Sequence, residues 1–367
     1  MNRFPGRLAL QQRVLPSYRV PFFDLLAEAY DGGLTLFAGQ PRSAESITSG
    51  EPRVAQLTSA QNIHLLSGSL YLCYQRGFID WLEKANPDAL IVEANPRYLA
   101  TPAAVKWMRQ RGRPILGWGL GSPSLSGPWS GFRQTRRLAF LRQFDDLLAY
   151  SQRGADEYAA LGFPREKIFV AHNSVSPCPN QPPSRSTVHR SPSLLFVGRL
   201  QSRKRVDLLL RACAQLDPQP RLVIVGDGPE RAALEALARE VYPSAQFVGA
   251  KHGDELKPYF AEADLFVLPG TGGLAVQEAM SHGLPVIVAQ GDGTQDDLVR
   301  AGNGWQIPPD DFNALLATLR GALSDPARLR AMGAESYRIV SKEINLEKMV
   351  EAFVRALNEV APRSEST

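Results

Sequence analysis

The stretch LFVLPGTGGLAVQEAMSHGLPVIVAQ, residues 265–290, decides the fold that we expect for this chain. Leu265–Leu268 is a short apolar run typical of a buried strand. Three glycines follow, and helical spacing then runs over residues 274–282. A glycine and a proline end this helix, and residues 285–289 form a second apolar run. The stretch therefore predicts a strand, a glycine loop, a helix and a second strand, which is the unit of a parallel α/β sheet.

The glycine loop is a candidate phosphate site. A loop without side chains at a helix N-terminus presents free N–H groups and the positive end of the helix dipole. Glu278, one turn inside the helix, can accept hydrogen bonds from vicinal hydroxyls such as those of a ribose. The alternative is an ordinary strand-to-helix turn with a surface glutamate, because glycine loops are common in α/β proteins.

Length and composition limit the classes of protein that we consider. The 367 residues exceed one typical domain, so the length favours two domains. A net charge of +4 suits anionic substrates or an anionic membrane surface, but it is too small to indicate nucleic-acid binding. The three cysteines are scattered, the first residues lack the apolar segment of a signal peptide, and no apolar run approaches the roughly 20 residues of a membrane span. We therefore expect a cytoplasmic protein.

One predicted helix, residues 131–144, is basic and has aromatic neighbours. The residues concerned are Trp129, Phe132, Arg133, Arg136, Arg137 and Arg142. Such a helix could lie on the anionic inner face of a membrane, so peripheral membrane contact is one interpretation. The alternative is a solvated helix face.

Apolar runs alternate with helical patterns in both halves of the chain, which favours parallel sheets covered by helices. In the first half, strands are predicted at residues 7–13, 34–39, 63–66, 87–93, 114–121, 147–151 and 168–171, and residues 41–59 indicate turns. In the second half, strands are predicted at 194–197, 221–225, 246–248, 265–268 and 285–289. Five prolines among polar residues at 174–193 indicate a linker.

Basic residues follow the first strand of the second half. Gly198 and Arg199 come directly after that strand, and Lys204 lies in the run Arg-Lys-Arg at the start of a predicted helix, residues 204–216. Ligands bind at the carboxyl edge of parallel sheets, and two cations there could hold a diphosphate. The alternative is a solvated basic helix start, although cations oppose the helix dipole at that end.

Several motifs in fixed order resemble one family. They are GRLxxxK before an LLLxA helix, VGDGPE after a strand, FVGA…LKPYFAEADLFVLP, and GGLAVQEAMSHGLPVI. Together they resemble the C-terminal domain of GT-B glycosyltransferases of family 4 between residues 194 and 308. In the first half, RVLPSYRVPFFDLL, the WGLG turn and YSQRGADEY…GFPREKIFVAHNSV are also similar to this family.

The resemblance implies an α/β fold with two Rossmann-like domains whose parallel sheets face each other across a cleft. Residues 1–174 would form an N-terminal, acceptor-side domain, and 175–193 a Pro/Ser-rich linker. Residues 194–343 would bind the nucleotide sugar, and the helix within 344–367 would pack back on the N-terminal domain.

The resemblance also implies roles for single residues. Arg199 and Lys204 match the catalytic pair that holds the donor diphosphate, and Glu278 matches the glutamate that binds the ribose. The further donor-binding candidates are Gly198, Ala250, Lys251, Gly270, Thr271, Gly272, Gly273 and Leu274. Glu93 and Asn95, which close a predicted strand, are candidates for the acceptor side, with a plain loop role as the alternative.

The implied reaction is retaining transfer of a sugar from a nucleotide-diphosphate sugar to a glycan or lipid-linked acceptor, in cell-surface polysaccharide or glycoconjugate synthesis. We expect no cofactor and no metal ion, because two cations can replace a metal and the sequence lacks an Asp-x-Asp triplet. We expect no nucleic-acid partner.

The sequence departs from the family at two positions. Gly270 stands where the family usually has a first glutamate that contacts the donor sugar, and Arg205 replaces a common glycine. These departures leave the donor sugar open. They also leave two other functions open, namely a GT-B-like nucleotide-sugar epimerase and an inactive nucleotide-sugar-binding protein.

Overall fold

The computed structural model of the chain describes residues 3–42, 45, 47–183, 192–291 and 293–360. The chain divides into two compact units. The first comprises Met1–Val175 and Leu346–Thr367, and the second comprises Ser176–Asn345. Residues 184–191 of the predicted linker and the tail 361–367 lie outside the described residues.

The first unit is built on a single sheet. Its strands are β1 (Leu8–Val14), β2 (Leu34–Gly39), β3 (Gln56–Leu65), β4 (Leu72–Arg76), β5 (Ala89–Glu93), β6 (Ile115–Gly119), β7 (Asp146–Ala149) and β8 (Ile168–Val170). The strand order is β4-β3-β2-β1-β5-β6-β7-β8, and only β3 and β4 pair antiparallel. The central strands are buried almost throughout, as helices on both faces of a parallel sheet require.

Five helices of the first unit follow its strands along the chain. They are α1 (Val20–Glu28), α2 (Phe78–Ala85), α3 (Thr101–Arg109), α4 (Ser130–Leu141) and α5 (Gln152–Ala160). Local signals mark the starts of three of them: α1 and α3 have proline in the first turn, and the Ser151 hydroxyl accepts the Gly154 N–H at 3.0 Å to cap α5.

Among the described residues, the second unit contains six strands in one parallel sheet. They are β9 (Ser193–Val197), β10 (Arg221–Val225), β11 (Gln246–Phe247), β12 (Leu265–Leu268), β13 (Val286–Ala289) and β14 (Gly304–Ile307), in the order β11-β10-β9-β12-β13-β14. The helices are α6 (Val206–Ala214), α7 (Arg231–Val241), α8 (Lys257–Glu262), α9 (Ala275–Ser281), α10 (Thr294–Leu298), α11 (Phe312–Leu323) and α12 (Pro326–Lys342).

The final helix, α13 (Leu346–Val360), packs into the core of the first unit. Its Phe353 ring centroid lies 5.1 Å from that of Phe22 on α1 and 5.0 Å from that of Trp118 on β6. Both contacts are edge-to-face, an arrangement that aromatic pairs favour in cores. A helix that comes last in the chain thus completes the core of the first unit.

The α/β fold with parallel sheets is confirmed, and several element predictions are corrected. Residues 56–59, predicted as part of a turn-rich segment, belong to the long strand β3, and its antiparallel partner β4 was not predicted. β3 is exposed and polar over most of its length, so it lacks the apolar alternation of a buried strand. The helices α10 and α12 and the strand β14 were also missed. None of the described helices is long and apolar enough to cross a membrane.

Candidate functional site

A cavity of about 500 Å³ lies in the second unit where β9, β10 and β11 end. Four of the predicted donor-site residues line it: Gly198, Arg199, Ala250 and Lys251. They come from segments that are distant in sequence and meet because parallel strands end at the same sheet edge. This is the edge at which ligands bind in open α/β sheets.

Close backbone packing holds the segments around this cavity. Gly226 follows β10, and a Cβ there would collide with the Gly198 carbonyl oxygen. The Gly198 N–H donates to the Val225 carbonyl at 3.0 Å, and the Gly226 N–H donates to the Gly249 carbonyl at 2.8 Å. With a φ of +147°, Gly226 also has a backbone conformation that other residues avoid. The VGDG motif therefore fixes where Arg199 and Ala250 stand.

The two basic residues in the wall of this cavity differ in how they are held. Arg199 is exposed, and its guanidinium makes no hydrogen bond or ion pair with the residues that the structure describes. Lys251 forms an ion pair of 3.5 Å with Glu255. Arg199 is therefore the side chain whose donors remain available for an anion.

Lys204 does not lie on a solvated helix start. Only 5% of its surface is exposed, and its ammonium donates to the Thr271 carbonyl at 2.9 Å and to the Gly272 carbonyl. Burial, with a smaller contribution from the charge of Arg203, lowers the pKa of Lys204 to about 8. Lys204 ends a short 3-10 turn, Ser202–Lys204, and α6 begins only at Val206, later than predicted. The Lys204 ammonium thus holds the glycine loop by hydrogen bonds, although burial disfavours its charged form.

The glycine loop packs on the turn that carries Lys204. The Thr271 N–H donates to the Arg203 carbonyl at 3.0 Å. A Cβ on Gly270 would lie 2.5 Å from the Lys204 Cα atom, and one on Gly273 would lie 2.6 Å from a Leu268 methyl carbon. The loop is therefore glycine-rich because its backbone approaches other atoms too closely for side chains.

Glu278 lies on α9, the helix that follows the glycine loop, and is half-buried. Burial raises the pKa of its carboxyl group. Among the described residues, none donates a hydrogen bond to this carboxylate, whereas its backbone carbonyl accepts from Ser281 and His282. Leu274, the residue before α9, is partly exposed. The carboxylate is thus free to accept hydrogen bonds from a ligand.

Arg205 shows how the chain accommodates its second departure from the family. Its φ of +53° is one that glycine adopts more readily. Its guanidinium pairs with Asp207 at 3.2 Å and with Asp310. These carboxylates neutralise Arg205, so this side chain is not a candidate phosphate ligand.

The first unit has its own cavity, of about 460 Å³, which contains both acceptor-side candidates. Glu93 ends β5, and Asn95 follows two residues later. The Glu93 carboxylate accepts the Arg13 N–H, but burial outweighs this bond and the nearby positive charges and raises the pKa of Glu93 to about 7. Asn95 accepts the Arg97 N–H at 3.1 Å, which is a loop-forming contact.

Sequence reasoning missed other residues of this cavity. They are Tyr18, Arg19, Trp118, Tyr150 and Asn173, among others. Arg19 fell in a predicted loop, and only its place in the RVLPSYR motif marked it. Among the described residues, no group of three or more His, Cys, Asp or Glu side chains is arranged to hold a metal ion.

Residues 179–339 match the family described as Glycosyl transferases group 1. The chain is 36% identical over 194 residues, 50% of this chain and 48% of the relative, to a GDP-mannose-dependent alpha-mannosyltransferase of Mycobacterium tuberculosis (strain CDC 1551 / Oshkosh). It is 24% identical over 271 residues, 70% of this chain and 79% of the relative, to the lipopolysaccharide core biosynthesis glycosyltransferase LpsE of Rhizobium meliloti (strain 1021).

A similar solved structure is Anabaena Alr3699/HepE in complex with UDP, with a TM-score of 0.70, 17% identity, and coverage of 98% of this chain and 100% of that chain. At this identity the likeness shows the fold alone, and the chain has the GT-B fold of glycosyltransferases. The segment that holds Arg199, Lys204 and Glu278 lies within the match to the group 1 glycosyl transferases. The match to the mannosyltransferase spans about half of that relative's length.

Proposed function

We propose that the protein is a retaining glycosyltransferase of family 4, which moves a sugar from a nucleotide-diphosphate sugar to a glycan or lipid-linked acceptor. The observation that carries the proposal is the pair of cations at one sheet edge of the second unit. Lys204 is buried against the glycine loop. Arg199, which has no ion-pair or hydrogen-bond partner among the described residues, lies in the wall of the cavity where β9, β10 and β11 end. The match of this segment to the group 1 glycosyl transferases supports the assignment.

Transfer from a nucleotide-diphosphate sugar requires fixed positive charge beside the departing diphosphate. The bond between the anomeric carbon and the diphosphate oxygen breaks, and its electron pair leaves with the diphosphate. A bond forms from the anomeric carbon to an acceptor oxygen, whose proton is released. Arg199 and Lys204 stabilise the charge on the departing diphosphate, and preorganised charges of this kind provide a large part of many rate enhancements. Because two cations supply this stabilisation, we propose that transfer does not require a metal ion.

The remaining donor contacts follow from the same edge of the sheet. The base packs by Ala250 and Lys251 in the cavity of the second unit, and the Glu278 carboxylate accepts the ribose hydroxyls. The backbone of the glycine loop at residues 270–274 would contact the phosphates and the sugar. A related mannosyltransferase is named for GDP-mannose, and Alr3699/HepE binds UDP, so both bases belong in the test.

The setting that we propose is cell-surface polysaccharide or glycoconjugate synthesis in the cytoplasm, at the inner face of the membrane. One relative is named for lipopolysaccharide core biosynthesis. On α4 and the residue before it, Trp129 is 80% exposed, Phe132 is 60% exposed, and Arg133 and Arg136 are also exposed. Spacings of three and four residues place these side chains on one helix face. An aromatic and basic face suits peripheral contact with anionic lipid.

The test combines donor binding with turnover. The protein is screened by thermal shift with UDP- and GDP-sugars, since a ligand that binds the folded state raises the Tm. Each donor that stabilises the protein is then incubated with and without a lipid extract, in the presence and absence of EDTA. We expect nucleoside diphosphate release that depends on the extract and survives EDTA.

The other outcomes identify the alternative functions. Conversion of the donor sugar without nucleotide release would indicate an epimerase. Donor binding with neither reaction would indicate an inactive nucleotide-sugar-binding protein. Complete loss in EDTA that Mg²⁺ or Mn²⁺ restores would contradict the metal-independent mechanism.

A further inference from the structure

Arg19 is a buried charge that forms no ion pair with an acidic side chain of the described residues, although its positive charge acts to lower the pKa of nearby Glu93. Only 5% of its surface is exposed, and its guanidinium donates to the Asn173 side-chain oxygen and contacts the Met349 sulfur at 3.9 Å. The guanidinium carbon lies 5.4 Å from the Trp118 ring centroid and 5.3 Å from that of Tyr150. Removing a guanidinium from water costs free energy, and one neutral hydrogen bond with aromatic contacts offsets only part of it.

The cavity around Arg19 has an excess of positive charge. Its wall contains three arginines, Arg19, Arg97 and Arg137, and one acid, Glu93, which forms no ion pair with them. Arg97 is exposed, and its side chain makes no contact of hydrogen-bond or ion-pair type with the described residues. Arg137 donates to the Pro123 carbonyl at 3.1 Å and forms no ion pair with the part of the chain that the structure describes. The cavity therefore favours an anion.

The place of Arg19 in the chain adds to this charge. The residue precedes α1 directly, where the positive end of the helix dipole lies, and the first turn of α1 contains no acid. A cation at that position opposes the local electrostatic preference. Conflicts of this kind are expected at functional sites rather than at structural positions. The aromatic rings that surround the guanidinium also fix its orientation before a ligand arrives.

We propose that this cavity binds an anionic group of the acceptor, a phosphate or a carboxylate, through the Arg19 guanidinium, with Arg97 and Arg137 at its rim. The planar guanidinium presents paired N–H donors that match both groups. The inference rests on the proposed function and deepens it, because it names the chemical class of the acceptor. A neutral oligosaccharide would leave Arg19 buried without an ion-pair partner among the described residues.

The experiment titrates the purified full-length protein with three probes: α-D-glucose 1-phosphate, D-glucuronate and neutral methyl α-D-glucoside. Binding is followed by calorimetry and by tryptophan fluorescence, since Trp118 contacts Arg19. We expect one of the two anions to bind at least about tenfold more tightly than the neutral glycoside. The glycoside cannot make the charge-assisted hydrogen bond to Arg19, and the loss of one such bond lowers affinity by about this factor. The preferred anion decides between phosphate and carboxylate. Equal affinity for all three probes, or no binding, would overturn the proposal.

Variants locate the binding site. Arg19→Met retains apolar packing and should weaken anion binding about tenfold or more, while Arg97→Ala, an exposed change that is safe for folding, should weaken it about threefold. Arg136→Ala is the control, because Arg136 lies on the same helix as Arg137 and outside the cavity wall. Unchanged affinity in folded Arg19→Met and in Arg97→Ala would contradict the proposal.

A second titration separates this inference from the proposed function. Lys204→Ala should reduce affinity for UDP or GDP and leave sugar-phosphate or glucuronate affinity unchanged. Anion binding that is lost in Lys204→Ala but kept in Arg19→Met would place the anion in the second unit and overturn the inference. Unchanged affinity of Lys204→Ala for both nucleotides would instead contradict the proposed donor site and leave the Arg19 result standing.

Discussion

Gly270 lies so close to the backbone of Lys204 that a Cβ atom on the glycine would stand 2.5 Å from the lysine Cα. Real Cβ atoms do not approach backbone this closely, so the position excludes every side chain unless the turn at 203–204 moves. The glutamate that the family usually has at this position cannot simply be restored by substitution. The close contact also makes the geometry of the glycine loop depend on the turn that carries Lys204.

Gly270→Ala should therefore destabilise the protein by about 1–3 kcal/mol, as overpacking does, and should reduce nucleotide affinity because the turn shifts Lys204. The measurements are urea unfolding and calorimetric titration with UDP or GDP. Gly321→Ala is the matched control: a Cβ there meets no atom within 4 Å, and the helix α11 should gain about 0.5–1 kcal/mol. Equal free energies of unfolding for Gly270→Ala and Gly321→Ala would show that the turn at residues 203–204 moves without loss of stability.

The binding of a nucleoside diphosphate should weaken above about pH 8, where free Lys204 loses its proton. A bound anion favours the ammonium form, so the complex should take up a proton on binding near that pH. Calorimetry in buffers of different ionisation enthalpy measures this uptake directly. Lys204→Arg keeps its charge at all these pH values and should abolish the uptake. Affinity that does not change between neutral pH and pH above 9 would mean that Lys204 does not contact the phosphates.

Glu278→Gln should lower the affinity for UDP and GDP on the order of tenfold, whichever sugar is attached. A carboxylate accepts hydrogen bonds from two ribose hydroxyls, whereas an amide of the same shape keeps one acceptor and presents a donor at the other position. Calorimetric titration with the free nucleoside diphosphates isolates this contact from the sugar. Glu240→Gln, an exposed change on α7, is the control. If Glu278→Gln and Glu240→Gln bind UDP and GDP with equal affinity, Glu278 does not bind the ribose.

Glu93 should make the first unit less stable as pH rises. Its pKa is about 7 in the folded protein, above the ordinary value of a glutamate, so the folded state binds the extra proton. The resulting stability is complete below the unfolded pKa and is lost as pH rises through about 7. Glu93→Gln should remove this trend, with a difference on the order of 2 kcal/mol between mildly acidic and mildly alkaline pH. If the free energy of unfolding changes with pH equally in the natural protein and in Glu93→Gln, this prediction is wrong.

The exposed aromatic and basic face at residues 129–136 should bind vesicles that contain phosphatidylglycerol and not vesicles of phosphatidylcholine alone. Co-sedimentation at low and high salt measures the binding, and salt should weaken it. Trp129→Ser with Phe132→Ser should abolish it. Arg109→Ser on α3 serves as the control for a general loss of positive charge. Equal binding to vesicles with and without phosphatidylglycerol, or unchanged binding by the double variant, would show that this face does not bind membranes.

The glycine-loop unit was predictable because its signals are local. Predicted residues 265–268 coincide with β12, and α9 and β13 fall within one or two residues of the predicted bounds. Apolar runs, glycines and prolines mark such boundaries without reference to the rest of the chain. The predicted site residues Gly198, Arg199, Ala250 and Lys251 meet at one cavity for the same reason, since each follows a recognisable strand. Their ligand-binding roles stay predictions.

Burial and pairing were not predictable, because they depend on residues far along the chain. The Lys204 ammonium is held by carbonyl groups 67 and 68 residues later, so its basic neighbours Arg203 and Arg205 gave no sign that it is buried. Arg19 contacts Trp118 and Tyr150, which no local pattern connects to it. The predicted strand at 63–66 overlaps only the end of β3. Residues 56–62 escaped prediction because most side chains of β3 face solvent, and its pairing with β2 and β4 was the missing information.

The position of α13 in the chain sets an order of events during synthesis. Leu346, Phe353 and the other apolar residues of this helix leave the ribosome only after the whole second unit has been made. At about 5–20 residues per second, Phe353 is therefore synthesised about 10–70 s after Phe22 and Trp118, the residues that it covers. The second unit is one continuous segment and meets no such delay. A translational stop anywhere within it would release a nascent chain whose N-terminal half has an open apolar groove, the kind of surface that chaperones and proteases recognise.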